Sequence, residues 1–190
     1  FFLTAYRDVR DMYMPEVFKD LGYPPEPTLF SKADYPIAFG IMVVMALLNL
    51  AKDHRRGLTA VFAVMMSGML LMGGATVLMD LEVINGLWWM ILVGFGAYLA
   101  YVPFGAVLFE RIMASTKAAG TAVFAIYLSD AIGYTGSVGV QLYKDLGQSE
   151  LDYYQFLRFF TYGIAGLGTV LFAMSGVYFL AKAKAAAMEA

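Results

Sequence analysis

Cysteine is absent from this chain of 190 residues, and histidine occurs once, at His54. No disulfide, thiolate metal site or cysteine nucleophile can be built from such a sequence. One imidazole supports neither a bis-histidine haem nor a histidine-rich metal cluster. Charge is scarce too: 15% of residues are charged, against about 25% in a typical soluble domain. The formal net charge is −2, so the basic excess that gives nucleic-acid binders their affinity is missing. No glycine loop opens a helix after a strand, because Gly94-Phe95-Gly96 lies inside an apolar stretch. Ser67-Gly68 and Ser175-Gly176 lack a histidine or acid partner of the kind hydrolases use. These gaps predict no enzyme, no cofactor, no metal and no nucleic-acid partner.

Apolar surface is what the chain has in excess. It is 61% hydrophobic with a mean hydropathy of +0.67, which points to lipid as its solvent. A bilayer crossing takes about 20 mostly apolar residues at about 1.5 Å each. Stretches at 57–79, 86–109, 118–142 and 156–181 meet this, and one at 35–51 is at the short end. Each should be helical, since lipid offers backbone groups no other partner. Pro36 falls near the start of its stretch, where a missing N–H does no harm. In residues 1–21, Phe2, Tyr6, Val9, Tyr13 and Val17 recur at helical spacing, and the turn-rich Gly22-Tyr23-Pro24-Pro25-Glu26-Pro27 ends the run. The expectation is an all-α, polytopic membrane bundle forming one unit over 1–190. Its helices should lie near 1–21, 35–52, 57–79, 85–112, 117–144 and 150–183, about six crossings. The chain opens Phe1-Phe2-Leu3 without an initiator Met or a signal-peptide pattern. The first helix is therefore expected to be the second part of a longer one in a longer product.

Loop charges alternate. The junction Lys52-Asp53-His54-Arg55-Arg56, the junction from Arg111 to Lys117, and the tail with Lys182 and Lys184 are basic. The junctions Glu26 to Asp34, Asp80 to Asn85 and Lys144 to Asp152 are acidic or nearly neutral. Under the positive-inside rule the basic set and the C-terminus are cytoplasmic, which puts Trp88 and Trp89 at the outer interface.

Three groups of residues stand out against this background. Asp130 lies near the centre of its apolar stretch, where a carboxylate costs about 2.5–3.5 kcal/mol even on a lenient insertion scale. Such a group serves either as a proton-coupling or substrate-contacting acid, or as a structural partner between helices. Arg7, Asp8, Arg10 and Asp11 place four charges in five residues, and Arg7 with Asp11 has the spacing of a same-face pair. Their readings are an anion-binding fork or a solvated cavity mouth. Ala125, Ser129, Gly133 and Ser137 form a small-residue ridge suited to close helix packing. Pro103, among Gly94, Gly96 and Gly105, predicts a bend. Arg111 and Arg158 are read as snorkelling to the interfaces, and the methionines as lipid-facing filler or soft packing.

Six helices with both ends cytoplasmic resemble one half of a major facilitator superfamily transporter, in which two such halves surround a cavity near the bilayer midplane. On that resemblance, 1–21 corresponds to the end of the seventh helix and the rest to helices eight to twelve. The junction Lys52-Asp53-His54-Arg55-Arg56-Gly57 echoes the facilitators' Asp, Arg and Gly loop without its leading glycine. The chain is more closely similar to an uncharacterised bacterial family related to the facilitators. That similarity rests on Tyr6-Arg7-Asp8, on Leu99-Ala100-Tyr101-Val102-Pro103-Phe104, and on Asp130-Ala131-Ile132-Gly133-Tyr134-Thr135-Gly136-Ser137.

The resemblance implies the C-terminal half of a secondary active transporter in a bacterial inner membrane. It would move a small solute by alternating access against an N-terminal half or a partner membrane subunit, with proton coupling as one form. Asp130 would then be the gating or proton-linked acid. Arg7 and Arg10, with Asp11, would be substrate contacts, and Tyr101, Tyr127 and Tyr134 cavity-lining donors. The alternative is a non-transporting scaffold, accessory or sensor subunit of a larger membrane complex.

Overall fold

Five long apolar runs set the architecture. The computed structural model describes residues 1–24, 26–116, 120–146 and 151–188. Their regular structure is entirely helical: α1 (Phe2–Met12), α2 (Met14–Asp20), α3 (Pro27–Asn49), α4 (His54–Asp80), α5 (Gly86–Pro103), a π-turn (Phe104–Leu108), α6 (Phe109–Thr116), α7 (Ala122–Leu146) and α8 (Tyr153–Met188). Five spans are long and apolar enough to cross a bilayer: Pro27–Asn49, His54–Asp80, Gly86–Thr116, Ala122–Leu146 and Tyr153–Ala186. The chain is an integral membrane protein. Lys117 and the first residues of the expected 117–144 helix lie outside the described residues. So do 147–150 of one expected loop and the last two residues of the tail.

Helix starts are held by local chemistry. The Asp53 carboxylate accepts from the Arg56 N–H at 2.7 Å, and the Asn85 amide oxygen from the Trp88 N–H at 3.0 Å, each satisfying an orphan donor. At α8 the cap comes from elsewhere as well, because Asp20 of α2 accepts from the N–H groups of Tyr153 at 2.8 Å and Tyr154 at 3.1 Å. That bond set ties α2 to α8.

The structure departs from the sequence expectations at two places, in the first helix and in α3, and adds detail at two more. Residues 1–21 are two helices, with Tyr13 at φ −96° and ψ 10° between them. Helix α3 begins at Pro27, so Pro36 stands in its interior and leaves the Lys32 carbonyl without its usual donor. Leu29, Ala33, Ile37 and Ile41 are buried at four-residue steps, and this stripe carries the helix back through the turn-rich segment. Trp88 faces outward, whereas Trp89 is wholly buried, with its Nε1 donating to Thr76 at 3.1 Å and its ring edge-on to Tyr154. Arg158 is also engaged: its guanidinium grips Asp80 through two bonds of 2.6 and 2.7 Å, and Tyr162 donates to the same carboxylate at 2.6 Å.

The core lies where α4 packs on both α5 and α8, with Met65, Met69 and Met72 fully buried there. Helix α1 packs on α5, α7 and α8, while α3 lies along α5 and α2 along α8. Tyr6 fixes α1 to α8 by donating to Thr161 at 2.7 Å, since the Thr161 hydroxyl proton is committed to the Leu157 carbonyl. Tyr13 donates to Asp145 of α7 at 2.6 Å. The apolar faces left outside, such as Tyr35, Phe39 and Met42 on α3, are the surface a lipid solvent accommodates.

Candidate functional site

The charged stretch of α1 points inward, and two polar groups form around its arginines. Arg10 is 1% exposed. A charge so placed requires several partners. Its Nη1 donates to Asp11 at 2.7 Å, and its Nη2 reaches both Asp34 of α3 and the Met90 carbonyl of α5 at 3.3 Å. Its Nε is buried without a hydrogen-bond partner. Tyr98 of α5 donates to the other Asp11 oxygen at 2.8 Å. The space for the guanidinium exists because residue 94 is glycine: a Cβ there would come within 2.6 Å of both Arg10 Nη2 and Ile37 Cδ1. Asp34 and Tyr98 border a cavity of about 320 Å³ between α3 and α5.

One turn earlier, Arg7 donates through Nε and Nη2 to Asp8 at 2.9 and 2.6 Å. Its guanidinium carbon lies 4.4 Å from the centre of the Tyr101 ring, a cation–π arrangement across to α5. Tyr134 of α7 approaches the same guanidinium from the other side. The expected Arg7–Asp11 pair does not form, because Arg10 and Tyr98 occupy Asp11 and Arg7 turns back to Asp8.

Asp130 lies eight residues into α7, about 12 Å along the axis from Ala122 and about 24 Å from Leu146. It is half-buried and electrostatically coupled to Tyr101. Asp8, Asp11 and Asp34 are each bonded to an arginine, whereas Asp130 makes no hydrogen bond or ion pair with a described residue. Its neighbour Ser129 is turned back to the Ile126 carbonyl at 2.9 Å and offers it nothing. The small-residue ridge brings α7 close to α1 just beyond, where Gly133 packs against Thr4.

The three sequence motifs thus meet: Tyr101 from the second and Tyr134 from the third lie at the guanidinium of Arg7 from the first, and Asp130 is coupled to Tyr101. The chain belongs to the family of unknown function DUF5690. The family's sequence model matches residues 1–182. No curated protein and no solved structure matches the chain.

In this DUF5690 chain, Tyr127 stands apart from the other candidates. It is 72% exposed on the outer side of α7 and joins neither polar group. Sequence reasoning missed Asp34, Gly94 and Tyr98. Asp34 was assigned to a loop, although Leu29, Ala33, Ile37 and Ile41 carry a helical stripe through it. Met90, Gly94, Tyr98 and Tyr101 step along α5 at intervals of four, four and three, the signal of one helix face turned to α1. Among the described residues no three His, Asp or Glu side chains gather to hold a metal ion.

Proposed function

We propose that this chain is a six-helix half of a facilitator-type secondary transporter that moves a small solute by alternating access. In this reading α1 and α2 together form the first membrane helix. The membrane is a bacterial inner membrane with the C-terminus cytoplasmic, and a second six-helix half or a partner subunit completes the cavity.

The helix-packing pattern supports the fold part of the reading. Exchanging α1–α2, α3 and α4 with α5–α6, α7 and α8 turns the α1–α7 contact into α5–α3, and α4–α5 into α8–α1 and α8–α2. The α4–α8 contact maps onto itself. Three-plus-three inverted repeats have this signature.

One observation carries the mechanism: Asp130 makes no hydrogen bond or ion pair with a described residue, beside Asp8, Asp11 and Asp34, which are each bonded to an arginine. The paired arginines are neutralised by their own carboxylates, so Arg7 and Arg10 organise the site and Asp130 is the acid that meets the solute or a coupled proton. An ionisable side chain on a membrane span marks a solute or proton path, and the position of Asp130 beside Tyr101 suits it to contact either.

The test uses the full-length gene product in proteoliposomes with an imposed pH gradient and a panel of labelled amino acids, sugars, organic acids and amines. Asp130→Asn should abolish pH-driven accumulation while solute exchange survives, because exchange needs no net proton movement. Unchanged pH-driven accumulation in a well-folded Asp130→Asn protein would remove the proton role. A wild type that moves no solute would favour the scaffold.

A further inference from the structure

At the basic end of the bundle, the α3–α4 junction and α6 enclose a cavity of about 400 Å³. Asn49, Lys52, His54, Glu110, Arg111 and Ala114 are among its lining residues. Arg111 is half-buried, and its guanidinium lies flat on α4 where residue 57 has no side chain. Neither Lys52 nor Arg111 has a hydrogen-bond or ion-pair partner among the described residues, although Glu110 shares the lining. Asp53, the other acid at hand, is turned away to cap α4 through Arg56.

We propose that this cavity is a binding site for the headgroup of an anionic phospholipid, specifically a phosphodiester carrying one negative charge and a hydroxylated headgroup. Two permanent cations against one carboxylate leave a surplus of one positive charge, which matches a monoanionic phosphodiester and not a dianionic phosphomonoester. The Arg111 fork and the Lys52 ammonium hold the phosphodiester oxygens, the Asn49 amide adds a donor, and Glu110 accepts from a headgroup hydroxyl.

A lipid fits better than a free phosphate because exposed apolar residues adjoin the lining along the chain. Leu47 is 61% exposed and Leu50 73% exposed on the adjoining end of α3, and Ala106, Val107 and Ala114 line the other side. An acyl chain has a track to follow there, whereas a soluble ion gains nothing from it. Basic pockets between helices on the cytoplasmic side attract such headgroups by the same electrostatics. The inference is independent of whether the chain transports a solute.

The test is native mass spectrometry of the full-length protein released from mixed micelles of phosphatidylglycerol and phosphatidylcholine, with glycerophosphoglycerol, the deacylated phosphodiester, as the soluble competitor. Wild type should retain phosphatidylglycerol over phosphatidylcholine. The Lys52→Gln/Arg111→Gln double variant should bind it at least tenfold more weakly, and Lys52→Gln alone, a change at an exposed position, should weaken it in the same direction. Arg55→Gln, in the same junction but off the lining, should leave retention unchanged. Equal retention by wild type and the Lys52→Gln variant would overturn the site. Displacement of the lipid by equimolar glycerophosphoglycerol would overturn the lipid assignment.

Discussion

Gly68 of α4 and Gly96 of α5 face each other so closely that a methyl group on either would strike the other's carbonyl oxygen. The obstacle in each direction is backbone, which cannot rotate away. This contact lets the two most buried spans meet without intervening side chains, the arrangement small residues permit in lipid.

Gly96→Ala should therefore destabilise the bundle by about 1–3 kcal/mol, the usual range for overpacking. Gly74 lies on the same α4 with open space around it. Gly74→Ala should leave stability unchanged or slightly raised, because alanine favours the helix. Thermal unfolding of both variants in one detergent distinguishes the steric account from a general intolerance of alanine.

The two arginines of α1 should behave differently on removal. Arg10→Gln removes a fully buried guanidinium whose partners Asp11 and Asp34 are 41% and 54% exposed, and the loss of its charge-assisted hydrogen bonds should cost about 1.5–3 kcal/mol. Arg7 and Asp8 are 19% and 22% exposed and their ion pair runs along the chain, so Arg7→Gln, which also gives up the cation–π contact with Tyr101, should cost about 1 kcal/mol. Urea unfolding in micelles ranks the two, and an equal loss contradicts the burial argument.

The proposed orientation predicts where added thiols react, and the absence of native cysteine makes the measurement clean. Arg55 precedes the first buried turn of α4, and Val83 is 65% exposed in the loop after it. An impermeant maleimide applied to intact cells should label Val83→Cys and leave Arg55→Cys untouched. The reverse pattern inverts the topology.

The sequence carried the membrane character and the long spans, because hydropathy summed over about 20 residues is a strong signal. It also carried Arg7, Tyr101, Asp130 and Tyr134 as candidates, which the fold brings to one place. It did not carry the pairing. Adjacent carboxylates engaged both arginines, a choice set by side-chain reach and by Tyr98 on another helix. Nor did it reveal that Trp89 faces inward, since neighbouring indoles share a depth but not a face. The start of α3 was obscured by prolines that read as turn signals, whereas Pro27 occupies the first helical turn, where its missing N–H costs nothing.

The most direct test of the transport reading is two-sided accessibility beside Asp130. Ser129→Cys is a near-isosteric change at a half-buried position in a stretch of 190 residues without cysteine, made with any cysteine elsewhere in the full-length protein replaced. In right-side-out and inside-out vesicles carrying the full-length protein, an impermeant maleimide should label this thiol from both faces. Acidifying one side should shift the ratio of the two rates, and Asp130→Asn should abolish that shift. Labelling from one face only, at a rate indifferent to pH, would contradict alternating access and leave the chain a static membrane subunit.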